Sequence, residues 1–309
     1  MSDEASLKDE ASLKDEASIQ PSPNEVTMPL SRVLITGASS GIGLAASLLL
    51  TGRGYQVVGT ARRPDEARQR IEGERGAPLP FALVEMELTD PDSVDRGFAQ
   101  AEDRLGGIDV LINNAGQGEL GAVEDTPLSD SRALFEVNYF SVVRLVQKAV
   151  PGMRKRGKGV ILNLGSIVHD LQFPFKAQYC ASKSALTGFS LSLRYELHPY
   201  NVRVHVLEPG WVRSEFHNRL RPVIKDGSPY APRLKPFLDF SRDSDPAIPD
   251  GPAVARVILS VIENPKSPVR IAVGPEAKKF RIARRFLSNA MLDRILLAKL
   301  SKKGDQAPL

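Results

Sequence analysis

Tyr179 and Lys183 lie four residues apart in Ala177–Leu197, a stretch with helical spacing, so their side chains share one helix face. A free phenol titrates near ~10, too high to act as a base at neutral pH. A cation one turn away favours phenolate, so the spacing predicts a Tyr179 hydroxyl shifted down toward working pH. Ser166 follows the apolar run Val160–Leu164. At a strand end its hydroxyl faces the ligand crevice of an α/β sheet and can hydrogen-bond an oxygen on which charge develops. Together these groups fit proton transfer to or from an alcohol oxygen, in ketone reduction or alcohol oxidation. Either direction needs a hydride carrier, which no side chain supplies.

The sequence holds a cradle for such a carrier. Thr36-Gly37-Ala38-Ser39-Ser40-Gly41-Ile42-Gly43 stands between the apolar run Arg32–Thr36 and a helical pattern over Leu44–Leu50. Gly37 suits a tight turn, Gly41 the close approach of a pyrophosphate, and Gly43 the contact of helix with strand. Backbone N–H groups around Ser39, Ser40 and Ile42, at the positive end of the helix dipole, then meet the anion. The second strand-like run ends Gly59-Thr60-Ala61-Arg62-Arg63, with no acid before Asp65. A carboxylate there binds a ribose 2′-hydroxyl, whereas arginine accommodates a 2′-phosphate. Arg62 and Arg63 therefore predict NADP(H), gripped by a planar guanidinium.

The elements that must position these groups alternate. Strand-like runs at Arg32–Thr36, Tyr55–Thr60, Phe81–Met86, Ile108–Ile112, Val160–Leu164 and Val202–Leu207 are separated by helix-length stretches, among them Pro91–Leu105, Leu128–Met153 and Ala177–Leu197. That alternation predicts a single doubly wound Rossmann-type α/β domain with a parallel sheet, over residues 29–274. Residues 1–28 repeat the hexamer DEASLK, whose period makes no apolar stripe, and are expected to be a disordered tail. Residues 214–250 are rich in proline, carry Phe216, Tyr230, Phe237 and Phe240, and read as a substrate lid. A last strand, Val269–Val273, precedes a basic amphipathic helical tail over 275–309.

The order of motifs resembles the short-chain dehydrogenase/reductase family over nearly all of residues 31–274. The run TGASSGIG at 36–43, Asn113-Asn114-Ala115-Gly116 after the fourth strand and Pro209-Gly210 after the sixth carry the resemblance, with Asn138, Ser166, Tyr179 and Lys183 at the spacing of the family's catalytic tetrad. The resemblance implies that Asn114, Ala115 and Gly116 steady the sheet and the adenosine side, and that Glu87 and Leu88 stand beside the adenine. It further implies that Pro209, Gly210 and Val212 lie on the nicotinamide side, where Ser214 replaces a usual threonine. Tyr179 and Lys183 then also touch the cofactor, Lys183 holding the nicotinamide ribose, while Asn138 positions a water that relays protons. Val206-Leu207-Glu208-Pro209-Gly210 and Val273-Gly274-Pro275 look like the hydroxysteroid and retinol dehydrogenase branch.

The apolar set Leu171, Phe173, Pro174 and Phe175 would line the crevice and favours a lipophilic alcohol or ketone, of steroid, retinoid or fatty carbonyl type. A net charge of +4 without a basic stripe interleaved with aromatics ahead of the tail gives no sign of nucleic-acid binding. The single cysteine, Cys180, excludes an intrachain disulfide and reads as a packing residue. His169, His198, His205 and His217 are too widely spaced for a metal site. No apolar run is long enough to span a bilayer, so a cytoplasmic enzyme is expected, as a homodimer or homotetramer. The basic tail is expected to pack on its own domain or a partner copy, or else to lie on an anionic membrane surface. The rival reading is a non-catalytic NADP-binding regulator on the same fold, against which the retention of both Tyr179 and Lys183 argues.

Overall fold

The computed structural model describes residues 30–214, 216, 220, 222–234 and 248–301. The repeat at 1–28, and residues 235–247 of the proline-rich segment, lie outside the described residues. Seven strands form one parallel sheet: β1 (Arg32–Ile35), β2 (Gln56–Ala61), β3 (Ala82–Glu85), β4 (Val110–Asn113), β6 (Gly159–Leu164), β7 (Val202–Pro209) and β9 (Arg270–Val273), in the spatial order β3-β2-β1-β4-β6-β7-β9. The reversal between β1 and β4 opens a crevice at the carboxyl ends of these strands, where ligands of such sheets bind.

Alternating side chains feed two cores. Val33 and Ile35 join Ala46 and Leu50 of α1 (Gly41–Gly52) and Val254 and Ile258 of α7 (Gly251–Glu263). Leu34 and Leu111 face the other way, against Val94 and Phe98 of α3 (Pro91–Leu105), Leu145 and Met153 of α5 (Ser141–Lys155) and Leu186 and Leu193 of α6 (Ala177–Leu197). Helix bounds follow local chemistry. Asp90 caps α3 by accepting from Asp92 N, Pro91 opens it, and Gly106 closes it at φ 66°.

Several elements differ from expectation. The single helix expected over Leu128–Met153 is two, α4 (Leu128–Phe135) and α5, joined by a π-helical turn at Glu136–Phe140. Helices α2 (Pro64–Arg75) and α7 are not among the helix-length stretches named above, although Pro64 and Gly76 bracket the one and Asp250 caps the other. Part of the proline-rich segment is structured: β8 (Pro222–Val223) pairs in parallel with β5 (Leu120–Gly121). The basic tail is not continuous. It forms α8 (Pro275–Ala283) and α9 (Asn289–Ser301), separated where Arg284 folds back on the Leu287 carbonyl and on Asn289 Oδ1. Among the described residues no helix is long and apolar enough to cross a membrane.

Candidate active site

The crevice is assembled by polar side chains that tie strand ends together. The Thr36 hydroxyl accepts from the backbone N–H of Asn114 and of Ala115, both at 3.0 Å. The Asn114 amide donates to the carbonyls of Thr36 at 2.8 Å and Gly37 at 3.2 Å. These bonds lock the glycine turn after β1 onto the turn after β4. Farther in, Asn113 Nδ2 donates to Asn163 Oδ1 and Asn163 Nδ2 to Ser190 Oγ, each at 2.8 Å, joining β4 and β6 to α6.

At the glycine turn, Gly37 sits at φ 68°, and a Cβ on Gly43 would lie 2.2 Å from the Gly37 carbonyl oxygen. Only glycine permits this approach of helix to turn. Ser40 precedes α1 with extended backbone and no side-chain cap, and the first turn holds no acidic residue. The leading N–H groups of Gly41, Ile42 and Gly43 are therefore presented to an incoming anion. Ser39 accepts from Arg70 through its carbonyl. Arg62 is exposed at the end of β2, and Arg63 makes only a solvent-exposed pair with Glu66 at 3.3 Å.

Strand β6 delivers Ser166, which caps the short turn Ile167–His169 with Val168 N at 3.4 Å from its Oγ. Helix α6 delivers Tyr179 and Lys183. The Ser166 hydroxyl lies close enough to the Tyr179 phenol to favour its ionised form. Lys183 is 4% exposed, and its Nζ donates to the Leu164 carbonyl at 2.7 Å, 6.0 Å from the centre of the Tyr179 ring. The π turn carries Asn138, whose Oδ1 accepts from Gln117 N at 2.8 Å and whose Nδ2 donates to Gln117 O at 2.9 Å and Ser182 Oγ at 3.0 Å. Ser182 donates on to the Tyr179 carbonyl at 2.8 Å. Both Asn138 amide protons are thus committed to protein, leaving one Oδ1 lone pair. A π turn in an otherwise α-helical run is a frequent mark of a functional site.

The electrostatics run against the expected direction for Tyr179. Part of its surface is accessible, yet the surrounding protein pushes the phenol up to about 12, desolvation outweighing the nearby Ser166 hydroxyl that pulls it down. Lys183 does not counter this, because its ammonium is directed to Leu164. Burial alone brings Lys183 down to about 8. In the protein by itself both groups are held toward their uncharged forms.

The remaining sequence-predicted residues are dispersed around this centre. Glu87 turns its carboxylate to Thr89, accepting from Thr89 N at 3.1 Å and Oγ1 at 2.9 Å, and Leu88 is buried in the core between sheet and α3. Pro209 ends β7, Gly210 N donates to Val273 O at 3.2 Å, and Val212 is buried in the opposite core. Gly116 borders Asn138 and Lys183, since a Cβ there would lie 3.4 Å from Asn138 Oδ1 and 3.5 Å from Lys183 Nζ. Phe173 and Phe175 pack with Leu120 and Leu234, and the Phe216 ring stands 6.0 Å from the Tyr179 ring. Cys180 is buried. Thr36, Arg70, Gln117 and Ser182 escaped the sequence reading. Each is a common polar residue whose partner is distant in sequence or bonded through its backbone.

A helix springing from a glycine turn on the central strand of a parallel sheet is the build of nucleotide-binding α/β proteins. Residues 31–224 match the family described as short chain dehydrogenase, and the chain belongs to it. It is 33% identical over 247 residues to retinol dehydrogenase 8 of Homo sapiens, covering 78% of this chain and 76% of that protein. A crystal structure of a short-chain dehydrogenase from Streptomyces avermitilis superimposes with TM-score 0.74 at 31% identity, over 88% of this chain and 98% of that one. The closed form of serine dehydrogenase complexed with NADP+ gives TM-score 0.65 at 25% identity, over 79% of this chain and 94% of that one.

Proposed function

We propose that the protein is an NADP(H)-dependent oxidoreductase interconverting a lipophilic alcohol and its carbonyl, with Tyr179 as general acid and base. The observation that carries this reading is the placement of Ser166 beside Tyr179 at the carboxyl edge of the sheet, with buried Lys183 one helical turn on. Bound in the crevice, the nicotinamide supplies or takes up hydride. The uncapped N–H groups of α1 and the clearance at Gly37 and Gly43 fit a pyrophosphate, and exposed Arg62 and Arg63 fit a 2′-phosphate. Asn114, Ala115 and Gly116 border the same opening, and Pro209, Gly210 and Val212 its other side.

Ser166 donates to the substrate oxygen and orients it. Tyr179 passes a proton to that oxygen in reduction and takes one back in oxidation. Lys183 keeps a cation near the developing charge, and Asn138 holds the 117 loop against α6. Partly exposed Phe173, Phe175 and Phe216, backed by buried Leu120 and Leu234, favour a lipophilic substrate, and residues 214–250 are assigned as its lid. Along α8, the connection after it and α9, exposed Ile282, Phe286, Met291 and Ile295 beside Lys278, Lys279, Arg285 and Arg294 suit packing on a partner copy or contact with an anionic membrane surface. A panel of lipophilic ketones followed by NADPH absorbance tests the reaction. Tyr179→Phe is expected to abolish turnover and leave NADPH affinity within about twofold, because the phenol oxygen is a small part of the cofactor contact. Turnover surviving in that variant would refute the assignment.

A further inference from the structure

Ser166 is held at both ends. Its Oγ meets Tyr179, and its carbonyl oxygen accepts from His169 Nδ1 at 2.6 Å and, more weakly, from His169 N at 3.4 Å. His169 Nε2 is contacted by an N–H of Arg270. A carbonyl can only accept, so Nδ1 carries a proton, while Nε2 faces both the Arg270 guanidinium and the Asp170 carboxylate. Arg270 is itself fixed. Its Nε donates to Glu208 Oε1 at 2.5 Å and its Nη2 to Asp170 Oδ2 at 2.7 Å and Glu208 Oε2 at 3.3 Å. Asp170 also lies 3.0 Å from His169 Nε2. Glu208 is buried near the end of β7, Arg270 opens β9, and Arg281 of α8 donates to the Arg270 carbonyl at 2.6 Å.

A partly buried ion cluster by itself is weak evidence of anything beyond folding. This one ends on Ser166. Without the 2.6 Å imidazole bond, Ser166 itself keeps only two long bonds within the turn, His169 N to Ser166 O and Val168 N to Ser166 Oγ, each 3.4 Å, while the shorter bonds of the turn, Asp170 N and Leu171 N to Ile167 O at 3.1 and 3.0 Å, hold the residues after it. Contacts of that length set direction poorly, while a reacting group must be held to within about 0.5 Å. We infer that His169, anchored by the Arg270–Glu208 pair, is a positioning residue for Ser166. Its Nδ1–H fixes the Ser166 carbonyl, and with it the direction of the hydroxyl that meets Tyr179. The inference rests on the proton-transfer reading above for its effect on rate, but its structural half is measurable without a substrate.

Two substitutions separate the contacts of His169. The Asn amide nitrogen stands where Nδ1 stood, so His169→Asn retains the donor to Ser166. The Gln amide stands where Nε2 stood, so His169→Gln retains the contact with Arg270 and loses that donor. Protein labelled with 13Cζ-tyrosine and loaded with NADPH reports the phenol directly, the Tyr179 signal being identified by its absence in Tyr179→Phe. That signal is expected to move in His169→Ala and His169→Gln and to return to the wild-type position in His169→Asn. With the best ketone of the panel, kcat falls about tenfold in the Ala and Gln variants at unchanged KM, the scale of a small misplacement, and Asn recovers most of the loss. Equal effects of Asn and Gln on the signal, or a wild-type signal in Gln, would overturn the inference. Failure to reduce any ketone, or turnover in Tyr179→Phe, sinks the proposed reaction instead and leaves the signal to decide the positioning.

Discussion

Lys183 offers a test in which the site's electrostatics appear as protein stability. The residue is 4% exposed, and burial lowers it from 10.5 to about 8. Its folded value lies below its unfolded one, so between pH 8 and 10.5 the unfolded chain keeps a proton that the native state has shed. Stability therefore rises with pH across that window. A full proton difference is worth about 1.4 kcal/mol per pH unit, and with native Lys183 half protonated at pH 8, about 1.6 kcal/mol accrues between pH 8 and 9.5 and about 2 kcal/mol from pH 7. Tyr179 acts oppositely but elsewhere: raised from 10.0 to about 12, it costs stability only as pH climbs through that higher interval. Lys183→Met removes the titrating group at nearly the same length. Urea unfolding of both proteins in half-unit steps from pH 7 to 9.5 isolates the effect, because all other groups cancel in the difference. The wild type is expected to gain about 2 kcal/mol on the variant over this range. A difference flat to within about 0.5 kcal/mol, a third of the change for one pH unit, would show that the ammonium is not desolvated as argued.

Three further outcomes follow from the geometry. Gly43→Ala places a Cβ 2.2 Å from Gly37 O and 2.5 Å from Asn114 Nδ2, so it is expected to cost about 1–3 kcal/mol in urea unfolding and to weaken NADPH at least tenfold by fluorescence titration. Asn138→Ala strands the Gln117 N–H and carbonyl and the Ser182 hydroxyl; a loss of about 1–3 kcal/mol is expected, and an unchanged unfolding midpoint would contradict the tether. Arg62→Ala is expected to weaken NADPH about tenfold, the scale of one charge-assisted contact, and to leave NADH within about twofold; equal loss for both cofactors would remove the 2′-phosphate role.

The frame of the molecule was legible because its signals are local. Apolar runs such as Val33–Ile35 and Val160–Leu164, and the Pro91 start and Gly106 stop of α3, mark their elements without reference to the rest of the chain. The residues of the proposed tetrad were legible as spacing. Their environments were not. That Lys183 spends its ammonium on Leu164, or that desolvation outweighs Ser166 at Tyr179, depends on packing from strands far apart in sequence. The π turn was hidden for a related reason: Leu128–Met153 has helical periodicity throughout, and the bulge is made by Asn138 bonding to Gln117, 21 positions away. Glu208 read as part of a buried strand, and only its pairing with Arg270 of β9 explains an acid there.

Burial of the two ionisable groups sets the protonation states from which each direction of the proposed reaction starts. A phenol held near 12 is protonated at neutral pH, which is the state needed to hand a proton to an oxygen gaining negative charge. A lysine near 8 is then largely cationic, and its buried charge favours that same developing anion. For reduction, then, the protein alone already holds donor and cation in the required states. Oxidation asks the same crevice to ionise a desolvated phenol first. Lys183, engaged by Leu164, does little toward this unless its ammonium turns to the phenol. Where that ammonium is tethered therefore sets the pH range in which each direction of the proposed reaction finds Tyr179 in the state it needs, while the balance between the directions stays with the equilibrium of the reaction itself.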